Sequence, residues 1–127
     1  MIIGVGCDIV DHELTRQLKW DKKPSLINRI LSEEEQKHLS SEQAIKFISG
    51  RFAAKEAVLK SLGTFMQDGI SLRDIEILKS STGKPFVKIH GAVKDIADHL
   101  GVSHFSISLS HSENISIAFV IAERLGL

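Results

Sequence analysis

Only one cysteine, Cys7, occurs in 127 residues. That excludes an intramolecular disulfide and fits a reducing compartment, so a cytoplasmic location is expected. Net charge is also missing. Sixteen basic and sixteen acidic side chains cancel, leaving no overall field to favour nucleic acid or a membrane surface. No apolar run reaches the ~20 residues that span a bilayer. Met1-Ile2-Ile3-Gly4 lacks the basic start of a secretory signal. Linkers, internal repeats and low-complexity stretches are absent too, so residues 1–127 are expected to form one domain. The six histidines show no zinc spacing: His104 and His111 bracket a strand, and no cysteine partners them. No Gly-x-Ser-x-Gly elbow marks a nucleophilic serine.

What is present is ordinary in bulk: 43% hydrophobic and 25% charged residues, the composition of a globular protein. Residues 2–9 alternate, with Ile3, Val5, Cys7 and Ile9 on one face and Gly4, Gly6 and Asp8 on the other. This parity predicts that Cys7 is a small buried apolar residue. The glycine face leaves room for a close backbone or a ligand. Helices are expected over 11–20 and 25–38, divided by Pro24, with Ser32-Glu33-Glu34-Glu35 resembling a capping box that starts a new turn. A segment 41–49 leads into a helix over Arg51–Leu62.

The second half turns to strands. Ile75, Ile77 and Phe86–Ile89 read as a hairpin turning at Ser81–Lys84. Ala92–Leu100 reads as a helix ended by Gly101. Phe105–Ser110 and Ile115–Ala122 alternate around a turn at His111–Asn114 and predict a second hairpin. The fold class is therefore α+β, an antiparallel sheet packed against helices. The last strand is apolar or small on both sides, with Ile115, Ile117, Phe119 and Ile121 opposing Ser116, Ala118, Val120 and Ala122. One of those faces is expected to meet neighbouring chains, small side chains letting their strands approach closely.

The densest chemistry lies in Gly50–Thr64. Glu56 and Lys60 are four residues apart and point the same way along a helix. Gly63 stands where helices stop, with Thr64 beside it. A carboxylate, an ammonium and a glycine turn suit a metal-bound phosphate, and they equally suit a solvated helix. Spacing alone leaves both open. Lys55 projects among Phe52, Val58, Leu59 and Leu62, so its stem is expected to pack while its head reaches solvent. Arg16, Lys19, Lys22, Lys23 and Arg29 surround one acid, Asp21. They form either a solvated face or a basic patch.

The segment Arg51-Phe52-Ala53-Ala54-Lys55-Glu56-Ala57 with Lys60 resembles the signature of the holo-acyl-carrier-protein synthases, small phosphopantetheinyl transferases. Gly4–Val10 is similar to that family's first strand, Gly83-Lys84-Pro85 to its hairpin turn, and Ser106–His111 to its serine-rich strand ending in histidine. Where members often carry Gly-Thr-Gly, this chain has Gly63-Thr64-Phe65.

The resemblance implies the 4'-phosphopantetheinyl transferase fold and a homotrimer with shared sites. It implies transfer of 4'-phosphopantetheine from coenzyme A to a serine of apo-acyl carrier protein. It gives Asp8 and Glu56 to Mg2+, a hard cation that needs only one or two protein carboxylates. Glu56, Lys60, Asp8 and His111 become the catalytic set. Arg51, Lys60, Gly63, Thr64, Gly83, Lys84, Pro85 and His111 become the coenzyme set. The alternatives are a helix-capping role for Asp8 with a Glu56–Lys60 pair, a non-catalytic coenzyme A or carrier-protein binding module, and a magnesium-dependent nucleotide hydrolase.

Overall fold

The computed structural model describes residues 1–126. Strand β1 (Ile2–Asp11) leads into a short helix α1 (His12–Gln17) and a 3-10 turn at Trp20–Lys22. Helices α2 (Pro24–Ile30) and α3 (Glu33–Gln36) follow. Proline fits the first turn of α2 because its missing N–H is not needed there. Ser32 separates the two as a reciprocal capping box with Glu35. The region expected as one helix after Pro24 is thus two.

The central element is α4, eighteen residues from Ala44 to Ser61. It absorbs both the 41–49 segment and the signature. Arg51 therefore lies inside this helix rather than opening it. Gly63, at φ 72°, stops it as expected. Strands β2 (Ile75–Lys79) and β3 (Pro85–Ile89) form the first hairpin, with Gly83 at φ 84° in its turn. Helix α5 (Gly91–Leu100) ends at Gly101, and β4 (His104–His111) and β5 (Ile115–Glu123) close the chain. The main sheet is antiparallel in the order β1-β5-β4, and β2-β3 is a separate ribbon.

Helix α4 lies directly on the main sheet, and two glycines of β1 make that possible. A Cβ on Gly4 would stand 1.9 Å from the Ser61 carbonyl oxygen, and one on Gly6 1.9 Å from that of Ala57. Real side chains never come that close, so only glycine permits the contact. Ala118, Val120 and Ala122 of β5 complete the floor and are fully buried. Small residues on this face thus receive a helix of the same chain rather than strands of a neighbour.

The other face is bare. Val5, Ile9, Ile117 and Phe119 are exposed at 51%, 59%, 38% and 43%, and Cys7 is exposed among them. The expectation of a buried Cys7 is overturned. Its parity with Val5 is right, but the glycine face was the one facing inward. Register pairs Cys7 with Phe119 and Ile9 with Ile117, so the apolar side chains form one continuous surface.

Lys55 departs furthest from expectation. Its head does not reach solvent but is fully buried. The ammonium donates to Glu35 Oε1 at 2.6 Å, to the Leu72 carbonyl at 3.0 Å and to the Ile30 carbonyl. Glu35 in turn accepts from the backbone N–H groups of Ser32 (Oε1) and Ile77 (Oε2). Burial pushes the Lys55 ammonium below its ordinary pKa, and Glu35 opposes that shift. One ion pair thereby ties α2, α3, α4 and β2 together. Lys55→Met keeps the volume but strands a buried carboxylate, and it should cost about 3–5 kcal/mol in urea unfolding. A loss below about 1 kcal/mol would match an exposed pair instead.

Candidate active site

Helix α4 sorts the signature residues by angle. At about 100° per residue, Glu56 and Lys60 fall within about 40° of each other, whereas Arg51 lies about 140° from Glu56. The glycine contacts fix Ala57 and Ser61 toward the sheet. Glu56 and Lys60 therefore occupy one flank of the helix, and Arg51 the other.

On the first flank, Lys60 Nζ donates to Asp8 Oδ1 at 3.0 Å and to the Cys7 carbonyl at 2.9 Å. Lys60 thus pairs with Asp8, not with Glu56. Asp8 caps no helix; Asp11 caps α1 by accepting from the Glu13 N–H. Burial first, and the Asp8 charge second, push the Glu56 carboxyl above its ordinary pKa, while Lys60 draws it back. Hydrogen bonding to Asp8 raises the Lys60 ammonium.

These are the electrostatics of two carboxylates sharing a region with one ammonium to offset them. No cluster of three metal-ligating side chains occurs among the described residues. A hard cation that takes two carboxylates and completes its shell from phosphate and water fits this donor set. Gly63 and Thr64 follow at the end of α4, and a Cβ on Gly63 would meet nothing within 4 Å. That leaves its backbone open to a ligand.

The second flank holds a different chemistry. Arg51 is buried, its guanidinium 4.2 Å from the centre of the Phe47 ring. Its Nε is a buried donor without a partner, and burial lowers its pKa. A cleft of about 540 Å³ opens beside it, lined by Phe47, Arg51, Lys79, Ser80 and Phe86 among others. A second groove of about 300 Å³ shares Ser80 and Phe86 and reaches Lys84 and Pro85. Three cations, Arg51, Lys79 and Lys84, border adjoining grooves with the exposed Phe86 ring between them, while the two carboxylates that also line the first, Glu34 and Glu35, are paired with Lys37 and Lys55. This combination suits an anion attached to a planar group.

His111 closes β4 above α4. A Cβ on Gly50 would stand 2.7 Å from its Cε1, so the ring occupies the space that a side chain there would need. Its Nδ1 is 2.7 Å from Ser116 Oγ, and Ser116 Oγ is 2.7 Å from Nε2 of the buried His12. Sequence reasoning missed His12, Ser116, Lys79 and Phe86. The small-residue face of β5 concealed Ser116, and no local spacing links His12 to His111.

The structure brings Asp8, Glu56 and Lys60 together, with Gly63 and Thr64 at the end of the same helix. It does not bring them to Arg51, Gly83, Lys84 and Pro85. Asp8 and His111 sit on the outer strands β1 and β4, which run about 10 Å apart, and are two residues out of level across β5. The two groups of side chains lie on opposite flanks of one helix.

The family model of the 4'-phosphopantetheinyl transferase superfamily matches residues 4–120. A holo-[acyl-carrier-protein] synthase of Geobacillus sp. (strain WCH70) is 44% identical over 98% of this chain and 99% of its own length. The crystal structure of holo-[acyl-carrier-protein] synthase from Neisseria meningitidis superposes with a TM-score of 0.88 at 34% identity. That alignment covers 98% of this chain and 100% of the other. The corresponding synthase from Bacillus anthracis str. Ames, in complex with CoA (3',5'-ADP), superposes with a TM-score of 0.78 at 31% identity. It covers 98% of both chains.

Proposed function

The chain belongs to the 4'-phosphopantetheinyl transferase superfamily, and from that premise we propose how its own residues carry out the transfer. The protein is a holo-acyl-carrier-protein synthase, moving 4'-phosphopantetheine from coenzyme A to a serine of apo-acyl carrier protein. The observation that carries the mechanism is the pairing of Lys60 with Asp8 beside a carboxyl pushed upward at Glu56.

The serine oxygen attacks the β-phosphorus of the coenzyme pyrophosphate, and the bond to the bridging oxygen breaks. Adenosine 3',5'-bisphosphate leaves. Asp8 and Glu56 would hold Mg2+. When bound, the cation neutralises phosphate oxygens and draws electron density from phosphorus. Glu56 takes the serine proton, directly or through a water. Lys60 leaves Asp8 to neutralise the charge that develops on the departing phosphate. Gly63 and Thr64 present backbone and hydroxyl to the pyrophosphate. Arg51, Gly83, Lys84, Pro85 and His111 hold the adenosine and phosphate end. Alignment and charge neutralisation then supply most of the acceleration, without a covalent enzyme intermediate.

The working unit is a homotrimer, with each site shared between subunits. Two features support this. The Val5–Ile9–Ile117–Phe119 face is contiguous and exposed, and apolar patches of this kind normally find a cover. The two groups of site residues also lie on opposite flanks of α4, so a complete site needs a second chain. A closed ring satisfies both. Residues 1–127 act as one transferase domain in a cytoplasmic enzyme; no helix among the described residues is long and apolar enough to cross a membrane.

The carrier protein docks on α1 and the turn after it. There Leu14 and Leu18 are exposed at 51% and 44% beside the exposed Arg16 and Lys19. Apolar and basic groups together match an acidic, amphipathic partner.

Incubation with coenzyme A, Mg2+ and apo-acyl carrier protein should add one phosphopantetheine mass to the carrier. Asp8→Ala and Glu56→Ala should each lower the rate at least about a hundredfold without changing the melting temperature. Persistent activity with unchanged magnesium dependence in either variant would remove that residue from the site.

Replacing Arg16 and Lys19 by Glu should weaken carrier binding and flatten its salt dependence while sparing coenzyme A. Unaltered carrier affinity at low salt would leave the patch as a solvated face.

Light scattering at micromolar concentration should report three chains. Mixing inactive Asp8→Ala chains with inactive His111→Ala chains should restore part of the activity, because mixed trimers contain some unmutated shared sites. A fully active monomer would rule the trimer out, and a trimer without rescue would rule out sharing of these two residues.

A further inference from the structure

Phe65 is the most exposed aromatic side chain among the described residues, at 66%. A lone exposed apolar residue is ordinary, and its place in the chain is what gives this one meaning. The next residue, Met66, lines an apolar groove of about 420 Å³ together with Trp20, Leu26, Phe52 and Ile70. An apolar seat is thus one residue away, and the Phe65 ring stays outside it. The turn beneath the ring is nevertheless anchored. Gln67 Nε2 donates to Thr64 Oγ1 at 3.2 Å, spanning Phe65 and Met66, and the Ile70 N–H donates to the Gln67 carbonyl at 3.1 Å.

Phe65 follows Gly63 and Thr64 directly, so its Cα lies within about 8 Å of the Gly63 Cα. A Cβ on Gly63 would meet nothing within 4 Å. Thr64 Oγ1 already accepts from Gln67, which leaves its hydroxyl hydrogen free to donate to a phosphate oxygen. Whatever brings its phosphate to Thr64 therefore places its next atoms beside Phe65. With the adenosine end held by Arg51, Gly83, Lys84, Pro85 and His111, the end of coenzyme A left beside Glu56, Lys60 and Thr64 is the pantetheine end. The first carbon there is a methylene, and the second carries two methyl groups.

We propose that Phe65 is a specificity-determining residue whose ring covers those two methyl groups, favouring coenzyme A over phosphates that lack the pantetheine arm. The inference rests on the reading of Gly63 and Thr64 as the pyrophosphate turn. Charge cannot make this distinction, because an ammonium and a hydroxyl treat any phosphate oxygen alike. Adenosine 3',5'-bisphosphate, the leaving product, carries phosphates but no methyl group. An apolar contact made by the substrate and absent from that product holds the one and releases the other.

The test is calorimetric titration of the assembled protein with Mg2+ and without carrier, so that binding is read and no transfer occurs. Phe65→Ala should weaken coenzyme A binding about tenfold, the scale of two buried methyl groups, and leave adenosine 3',5'-bisphosphate unchanged. Phe65→Leu, which keeps an apolar side chain, should retain most of the affinity. A coenzyme A analogue lacking the two methyl groups should bind the wild type about tenfold more weakly than coenzyme A. Phe65→Ala should cost nothing further on that analogue, since ring and methyl groups form one contact. Additive losses overturn the proposal, as does an equal loss for coenzyme A and the bisphosphate, which would make the ring a support of the turn. Unchanged coenzyme A affinity with a raised KM for the carrier also overturns it and gives the ring to the carrier. Failure of the underlying reading looks different: Thr64→Val then binds coenzyme A as the wild type does, and the role of Phe65 falls with it.

Discussion

The contact on which the rest depends is the approach of α4 to β1 at Gly4 and Gly6. Two backbone carbonyls of the helix stand where two side chains would otherwise be. This contact sets the distance between helix and sheet, and Asp8 stands two residues beyond Gly6 on the same face of β1. At that separation the Lys60 ammonium reaches both the Asp8 carboxylate and the Cys7 carbonyl. A larger residue at either glycine would lift the helix and stretch both bonds beyond hydrogen-bonding range. The glycines thus act as positioning residues: they hold a strand acid within reach of Lys60 and beside Glu56.

The same contact decides which face of the sheet is left over. Once the glycine and alanine side of β1 and β5 is spent on α4, their branched and aromatic residues have nowhere to go but outward. An isolated chain then presents Val5, Ile9, Ile117 and Phe119 to water, an unfavourable arrangement unless other chains cover it. One helix thus decides both which side of the sheet is closed within the chain and which side is left for a partner, the cover being other chains in the trimer proposed above.

Much of the architecture was legible in the residues. Both hairpins, the Gly101 stop, the Ser32 capping box and the end of α4 at Gly63 follow from local turn and cap chemistry, which acts over a few residues. Two things were not. The inside of β1 was misjudged because hydrophobic alternation assumes that the apolar side faces the core. Here a close helix requires glycine inside and leaves Cys7 outside. Lys55 was misjudged because a helical projection gives its direction but not its partner. Glu35 lies twenty residues away in a separate helix, and only tertiary packing brings them together. At Glu56 and Lys60 the spacing placed both side chains on one flank of α4, but their reading as a candidate site came from the family resemblance. The site was invisible where the link is purely spatial, as at His12, Ser116, Lys79 and Phe86.

The contrast between Lys55 and Lys60 shows how one helix can divide its labour. Five residues apart, they point about 140° from each other. Lys55 is sealed from water and holds three acceptors on three elements, one of them a carboxylate itself bound by two backbone N–H groups. Breaking that network leaves uncompensated charge in the interior, so it has no freedom to take part in a reaction. Lys60 is half exposed and holds Asp8 by an ordinary 3.0 Å contact. A pair of that kind is worth about 1 kcal/mol or less, so an arriving phosphate can displace it cheaply. The neighbouring Glu56 remains outside any ion pair among the described residues and is only half-buried. Rigidity at Lys55 and exchangeability at Lys60 therefore have a single cause, the depth to which the turn of α4 carries each ammonium.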